Sequence, residues 1–331
     1  MIKILVDTVG GDKSPNVNIE GGILALNKIE DIHIIFVGNE EVINQQLISY
    51  NYDKQRVSII DAKEVISCNE IPTVAIRTKK QSTLYKAFEI LKESREINCL
   101  VSSGSTGAVF AGAVLNLGRI KGIKRPALCP IIPTMNGKLV AICDSGANMN
   151  CDALMLSQFG LMASLYMQKT YGVQNPRAAL LNVGTEAEKG DELRKEAYKL
   201  LSENKNINFV GNMESRDLLS GKYDVVVSDG FSGNVLCKST EGACLEMSKL
   251  IMQLLKNNKE AAVLMQKDVK DLSEFMNYNN YGGAVLLGCT KNIVKAHGSC
   301  ESVTILHCIE QAYNMEKNAL NNAILNCLQT I

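Results

Sequence analysis

Apolar residues along the chain fall into two alternating patterns. Short runs rich in Ile and Val recur at Ile2 to Val6, His33 to Val37, Val57 to Ile60, Leu100 to Val101, Leu139 to Cys143, Ala178 to Val183, Ile207 to Val210 and Val225 to Val227. Continuous runs of this length suit strands buried on both faces. Longer helical patterns separate them, over 16–29, 40–49, 82–96, 106–117, 152–169, 188–202 and 233–255. Several open with Ser, Thr or Asp near the first turn, where side chains cap free N–H groups. Strand, turn and helix in repeated succession predict an α/β fold with a doubly wound, mostly parallel sheet. From about Ser239 the pattern reads as helical, ending in an amphipathic stretch after His297. No repeat, low-complexity tract or Pro/Gly-rich linker divides the chain. It therefore reads as one unit over 1–331, with two intimately packed lobes equally compatible with its length.

Charge narrows the partners. The 35 Lys and Arg balance the 35 Asp and Glu, so no global field draws nucleic acid, and any anion site must be built locally. The eleven cysteines are odd in number and form no Cys-x-x-Cys pair, which predicts reduced thiols used as small apolar residues. No apolar run approaches the ~20 residues of a membrane span, and the start at Met1 lacks a signal-peptide pattern. A cytoplasmic protein is expected, at most bound to a membrane surface.

In doubly wound sheets, ligands bind at the carboxyl ends of strands, beside helix N-termini that attract anions. Five such loops here are rich in small residues: Asp7-Thr-Val-Gly10-Gly11-Asp12, Ser102-Ser-Gly104-Ser105-Thr106-Gly107, Asp144-Ser-Gly146-Ala147-Asn148, Asn182-Val-Gly184-Thr185-Glu186 and Ser228-Asp229-Gly230-Phe-Ser-Gly233-Asn234. Glycine permits close backbone approach to a phosphate, while Ser, Thr and Asn add neutral donors. Each loop alone also fits an ordinary strand-to-helix turn, but five together favour a shared polar site. Two lysines could supply charge: Lys189, where a helix is expected to begin, and Lys295, in Lys295-Ala-His297-Gly298 beyond the glycine-rich 281–288 segment. Lys189 also fits a solvated lysine at a helix end. His297 is beside a glycine turn, whereas His33 and His307 lie in apolar elements and read as structural.

What is missing also limits the chemistry. No Walker-type loop, dinucleotide fingerprint, nucleophile elbow or His-Glu-x-x-His helix occurs. Direct attack by a bound anion on an activated acyl group needs only positioning and a cradle for the developing oxyanion. Asn234, loop N–H groups and a lysine could form that cradle.

Val6-Asp-Thr-Val-Gly-Gly-Asp12 with Pro15, Ser103-Gly-Ser-Thr-Gly-Ala108, Leu117-Gly-Arg-Ile-Lys-Gly-Ile with Arg125-Pro-Ala127, and Asp144-Ser-Gly-Ala-Asn148 together resemble the phosphate acyltransferase (PlsX) family. Lys189-Gly with Glu192, Phe209-Val-Gly-Asn212 with Arg216-Asp217, Asp229-Gly-Phe-Ser-Gly-Asn234, Tyr281-Gly-Gly-Ala284 and Lys295-Ala-His-Gly-Ser299 extend the resemblance in order from about residue 2 to 312. The resemblance implies acyl carrier protein as acyl donor, inorganic phosphate as acceptor, and an acyl phosphate that feeds glycerol-3-phosphate acylation in phospholipid synthesis. It further implies a homodimer, a three-layer αβα fold similar to the isocitrate dehydrogenase and phosphotransacetylase group, and no metal or other cofactor. Lys189 and Asn234 match positions implicated in the family's activity. Asp7, Gly10, Gly11, Asp12, Gly104, Thr106, Gly107, Asp144, Gly146, Asn148, Asp229, Gly230, Gly233, Lys295 and His297 are the expected substrate and phosphate site. The loop aspartates are expected to organise the loops rather than transfer protons. Departures include Thr8-Val9 for Ala-Met, Ser105 for an amide and Val285 for proline.

The family is also associated with the membrane surface through a helical hairpin. Here Ala261, Met265, Val269, Leu272 and Met276 recur at spacings of three and four, within an amphipathic segment at about 250–277. Lysines at 256, 259, 267 and 270 are offset by acids, so attraction to anionic lipid should be weak. Peripheral contact with the inner face of the cell membrane, near the glycerol-3-phosphate acyltransferase, is one expectation; packing on the protein's own core or dimer mate is the other. Two rival functions remain at this level. One is a short-chain phosphotransacetylase using coenzyme A; the other is a non-catalytic module that binds acyl phosphate or acyl carrier protein.

Overall fold

The computed structural model describes residues 1–256, 264–265, 267–268, 275 and 278–329. The chain begins β1 (Ile2–Asp7), α1 (Asn16–Lys28), β2 (Ile32–Gly38), α2 (Glu40–Leu47), β3 (Val57–Asp61), α3 (Pro72–Thr78), α4 (Thr83–Glu93), β4 (Ile97–Ser102), α5 (Thr106–Gly112), β5 (Ala127–Cys129), β6 (Ile131–Pro133) and β7 (Leu139–Cys143). It continues with α6 (Ala153–Tyr171), β8 (Arg177–Asn182), α7 (Glu192–Glu203), β9 (Asn208–Glu214), β10 (Val225–Val227), α8 (Gly230–Lys256), β11 (Ala284–Leu287), β12 (Asn292–Lys295), α9 (Ser302–Lys317) and α10 (Leu320–Gln329).

The strands form two sheets flanked by helices, in the orders β3-β2-β1-β4-β12-β11-β5 and β6-β7-β10-β8-β9. Neighbours are parallel except β11 with β12, β11 with β5, and β6 with β7. β11 and β12 correct the expectation of a wholly helical last third. They are four residues each and almost entirely buried, and a run that short carries no readable period. β5 and β6 escaped the apolar pattern for the same reason.

α6 ties the sheets together. Leu156, Phe159, Met162 and Tyr166 on it are fully buried, and it packs on β7, β8 and β10 as well as on α7, α9 and α10. A helix apolar on all sides belongs inside. One buried cluster accordingly runs from Ile4 and Val101 of the first sheet through α6 to Ala141 and Leu180 of the second. The cysteines are free thiols, and Cys99, Cys129, Cys143, Cys237, Cys289, Cys300 and Cys308 are buried, as their use as apolar residues predicts. Of the amphipathic face expected at about 250–277, Ala261, Val269, Leu272 and Met276 lie outside the described residues, while Met265 is exposed. Among the described residues no helix is long and apolar enough to cross a membrane.

Candidate active site

Parallel strands deliver the loops at their carboxyl ends to one edge of each sheet. Asp7, Ser102 and Lys295 end β1, β4 and β12 and stand in register on adjacent strands. In the second sheet Cys143 and Leu180 flank Val227 in the same way. The loops beginning at Asp144, Ser228 and Asn182 are therefore neighbours.

The Asp7 carboxylate is buried and accepts from Ser102 Oγ (2.7 Å) and Val9 N (3.3 Å). Burial raises its pKa from 3.8 to about 6, against the opposing effects of Ser102, Thr83, Val9 and the charge of Lys295. Because the folded form holds this proton more tightly than the unfolded chain does, folding stability should fall as pH rises from about 4 to 6 and stay lower above that. The difference is on the order of 3 kcal/mol. Asp7→Asn should flatten that slope in melting curves taken across this range; an unchanged slope would place the titration elsewhere.

Lys295 is 8% exposed. Its ammonium donates to Ser103 O (3.5 Å) and to Ala296 O, two of its three donors. Burial lowers its pKa below the usual lysine range, against the smaller opposing effects of Cys300, Cys308, Cys68 and Asp7. Beside it begins α5. Ser105 makes no side-chain cap, and its carbonyl first accepts from Val109 N (2.9 Å). The N–H groups of Thr106, Gly107 and Ala108 thus have no partner among the described residues. Thr106, Gly107 and Lys295 line a cavity of about 220 Å³ together with Gly146 and Ala147 from the second sheet. A buried cation and free N–H groups in one concavity suit a small anion.

The second-sheet loops are braced from within. Asp144 is fully buried and accepts from the backbone N of Leu128 (2.9 Å), Ser145 (2.7 Å), Ala147 (3.2 Å) and Asn148 (2.7 Å) and from Asn148 Nδ2 (2.9 Å). Burial still raises its pKa. Asn148 Nδ2 also donates to Pro126 O (2.8 Å). Both residues organise the loop, and the Asn148 amide hydrogens are committed to it. Asp229 caps α8 through Ser232 N (2.8 Å) and is ion-paired with Arg194. Asn234, in the second turn of α8, is exposed; its Nδ2 donates to Ser145 O (3.3 Å) and lies 3.2 Å from where a Cβ on Gly146 would be.

Two glycines of the site are demanded by the protein itself. A Cβ on Gly233 would lie 2.0 Å from Asp144 O, and one on Gly10, whose φ is +100°, would lie 2.6 Å from Gly104 Cα. These close approaches are between loops. Gly230 packs on Asn148 and Gly11 on Ser103 in the same manner, while exposed Asp12 is tied by its backbone N to Gly298 O (2.8 Å).

Lys189 is placed differently from expectation. α7 begins at Glu192 with Asp191 as its N-cap, accepting from Arg194 N (2.9 Å). Lys189 therefore precedes the helix, exposed in a loop held by Asn182 Nδ2 donating to Lys189 O (3.0 Å). The starts of α6, α7 and α8 are all capped by aspartates, Asp152, Asp191 and Asp229, which removes them as anion sites. Sequence reasoning missed Arg194, whose guanidinium spans Asp191, Asp229 and Ser232 Oγ (3.2 Å). Its only local signal is the Asp191-x-x-Arg194 spacing. His297 is exposed on a second, larger cavity. Among the described residues no group of three His, Cys, Asp or Glu side chains could hold a metal.

Residues 2–323 match the family model described as fatty acid synthesis protein. A phosphate acyltransferase of Clostridium tetani is 42% identical over 325 residues, covering 97% of this chain and 96% of that one. A phosphate acyltransferase of Caldanaerobacter subterraneus subsp. tengcongensis is 43% identical over 320 residues, with 96% and 94% covered. Among solved structures, a phosphotransacetylase from Streptococcus pyogenes shares the fold at a TM-score of 0.62 and 17% identity, over 95% of this chain and 94% of that one. A branched-chain phosphotransacylase from Enterococcus faecalis V583 does so at 0.55 and 14%, over 96% and 100%.

Proposed function

The chain belongs to the phosphate acyltransferase family of fatty acid synthesis proteins and is an acyltransferase, and on that premise we propose that acyl carrier protein is its acyl donor. The acceptor is inorganic phosphate, and the acyl phosphate formed feeds glycerol-3-phosphate acylation in phospholipid synthesis. The whole chain works as one catalytic unit, a cytoplasmic homodimer with peripheral contact at the inner membrane face, and without a cofactor.

One observation carries the chemistry: the cavity of about 220 Å³ that joins buried Lys295 to the uncapped start of α5. Phosphate held there is stripped of water and presented to the thioester carbonyl. A phosphate oxygen attacks the carbonyl carbon, the C–O bond forms, negative charge gathers on the carbonyl oxygen, and its collapse expels the carrier thiolate. Asn234 steadies the oxyanion. Thiolate is a good leaving group, so no strong acid is needed, which fits aspartates that brace loops. Lys189, on the adjacent exposed loop, adds positive charge at the entrance.

Hydroxylamine trapping of acyl phosphate tests this directly, with acyl carrier protein thioesters, acyl-coenzyme A and acetyl-coenzyme A as alternative donors. Carrier thioesters should give the highest kcat/KM. A preference for acetyl-coenzyme A would move the chain to the phosphotransacetylase reaction, and tight carrier binding without trapped product would leave a binding module.

A further inference from the structure

A larger cavity, of about 510 Å³, runs along α8. Ile132 and Pro133 from β6, Met135, Leu219, and Cys244 and Leu245 from α8 make its apolar wall, while Lys238 and Glu241 of α8, paired with each other at 2.7 Å, and Thr240 and Ser248 give it a polar side. Two links join it to the phosphate cavity. Lys295 lines the smaller space, and His297, two residues on, lines the larger. Gly146 lines the smaller, while its neighbour Ser145 donates from Oγ to Cys237 Sγ (3.4 Å), on the wall of the larger. Asn234 lies between residues that line each, its Nδ2 3.2 Å from where a Cβ on Gly146 would be and one helical turn before Cys237.

We infer that the larger cavity receives the hydrocarbon chain of the acyl donor, with the reacting carbonyl at Asn234 and phosphate on its other side. The inference rests on the reading above that the donor is a fatty acyl thioester. From Cys237 to Ser248 the α8 wall extends about 16 Å at 1.5 Å per residue, a span suited to a long hydrocarbon chain. Each methylene taken out of water along an apolar wall adds a similar increment to binding, so the length of this cavity sets which chains gain.

Gly242 makes the idea testable. It lies mid-helix on this wall, and a Cβ there would meet nothing within 4 Å among the described residues. Glycine inside a helix costs stability relative to alanine, so a larger side chain here should not destabilise α8 itself. Gly242→Phe should project a ring into the cavity and exclude the far end of a long chain. Assayed by hydroxylamine trapping with carrier thioesters from hexanoyl to octadecanoyl, it should lower the long-to-short ratio of kcat/KM by about tenfold or more. Cys244→Phe narrows the same wall and takes the place of the first variant should that fail to fold. A ratio that stays at the wild-type value, or a fall of equal size at every length, overturns the inference. If wild-type protein yields no acyl phosphate from any carrier thioester, the donor assignment fails instead; the same ratio is then read with acyl-coenzyme A donors.

Discussion

Replacing Lys295 with Met is expected to lower kcat/KM for phosphate by about 10²–10³-fold, on the order of 3–4 kcal/mol of transition-state stabilisation. The side chain ends at the strand edge beside the uncapped start of α5, and among the described residues it is the one charged group lining that cavity. N–H groups and a helix dipole alone hold an anion weakly, since a helix end contributes only about 0.3–1 kcal/mol in exposed settings. An ammonium donor, which makes charge-assisted hydrogen bonds, is worth more. The same substitution should not unfold the protein. Burial depresses the Lys295 pKa, so its charge is held in the fold at a desolvation cost, and an apolar chain of similar length removes that cost while filling the same space. The readouts are therefore separable: initial rates against phosphate concentration should collapse while the melting temperature holds or rises. Unchanged phosphate kinetics would make Lys295 a structural tether for Ser103 and Ala296. Lys189→Ala, which removes an exposed charge from the neighbouring loop, is expected to cost only about tenfold, screened by solvent and salt.

The two lysines also illustrate what could be read from the chain beforehand. The core strands were legible because β1, β2, β7 and β10 are continuous apolar runs bounded by turn residues. β11 and β12 were not, because four buried residues beside glycines look the same as a loop. That omission hid the exact setting of Lys295, which only the pairing of β12 with β4 brings level with Ser102 and Asp7. Aspartate was ambiguous for a different reason. An acid after a strand can face a ligand or cap the next helix, and Asp191 and Asp229 turn out to cap. The helical pattern therefore starts at 188, four residues before α7 does, and gives Lys189 a helix end it does not occupy. Arg194 was out of reach of sequence reasoning, since its value lies in a partner 35 residues away.

Asn234→Ala is expected to reduce kcat by about 10²-fold or more with little change in the KM for either substrate, the signature of a donor that acts on charge appearing only in the transition state. The structure leaves that donor available. Asn234 is exposed, and among the described residues its amide makes one long contact, to Ser145 O at 3.3 Å, so a second amide hydrogen can face the cleft. Its position is also well defined: Asp229 caps the helix that carries it, Arg194 holds Asp229, and Gly233 seats the first turn against Asp144 O. Asn234→Asp is the more telling variant. It is nearly isosteric and should leave this scaffold intact, but it places a carboxylate where negative charge develops and where phosphate approaches. It should therefore be more damaging than alanine, and partly recoverable at low pH as the carboxylate protonates. An Asp variant as active as wild type would show that the oxyanion lies elsewhere, with the N–H groups of Thr106 and Gly107 as the next donors to examine.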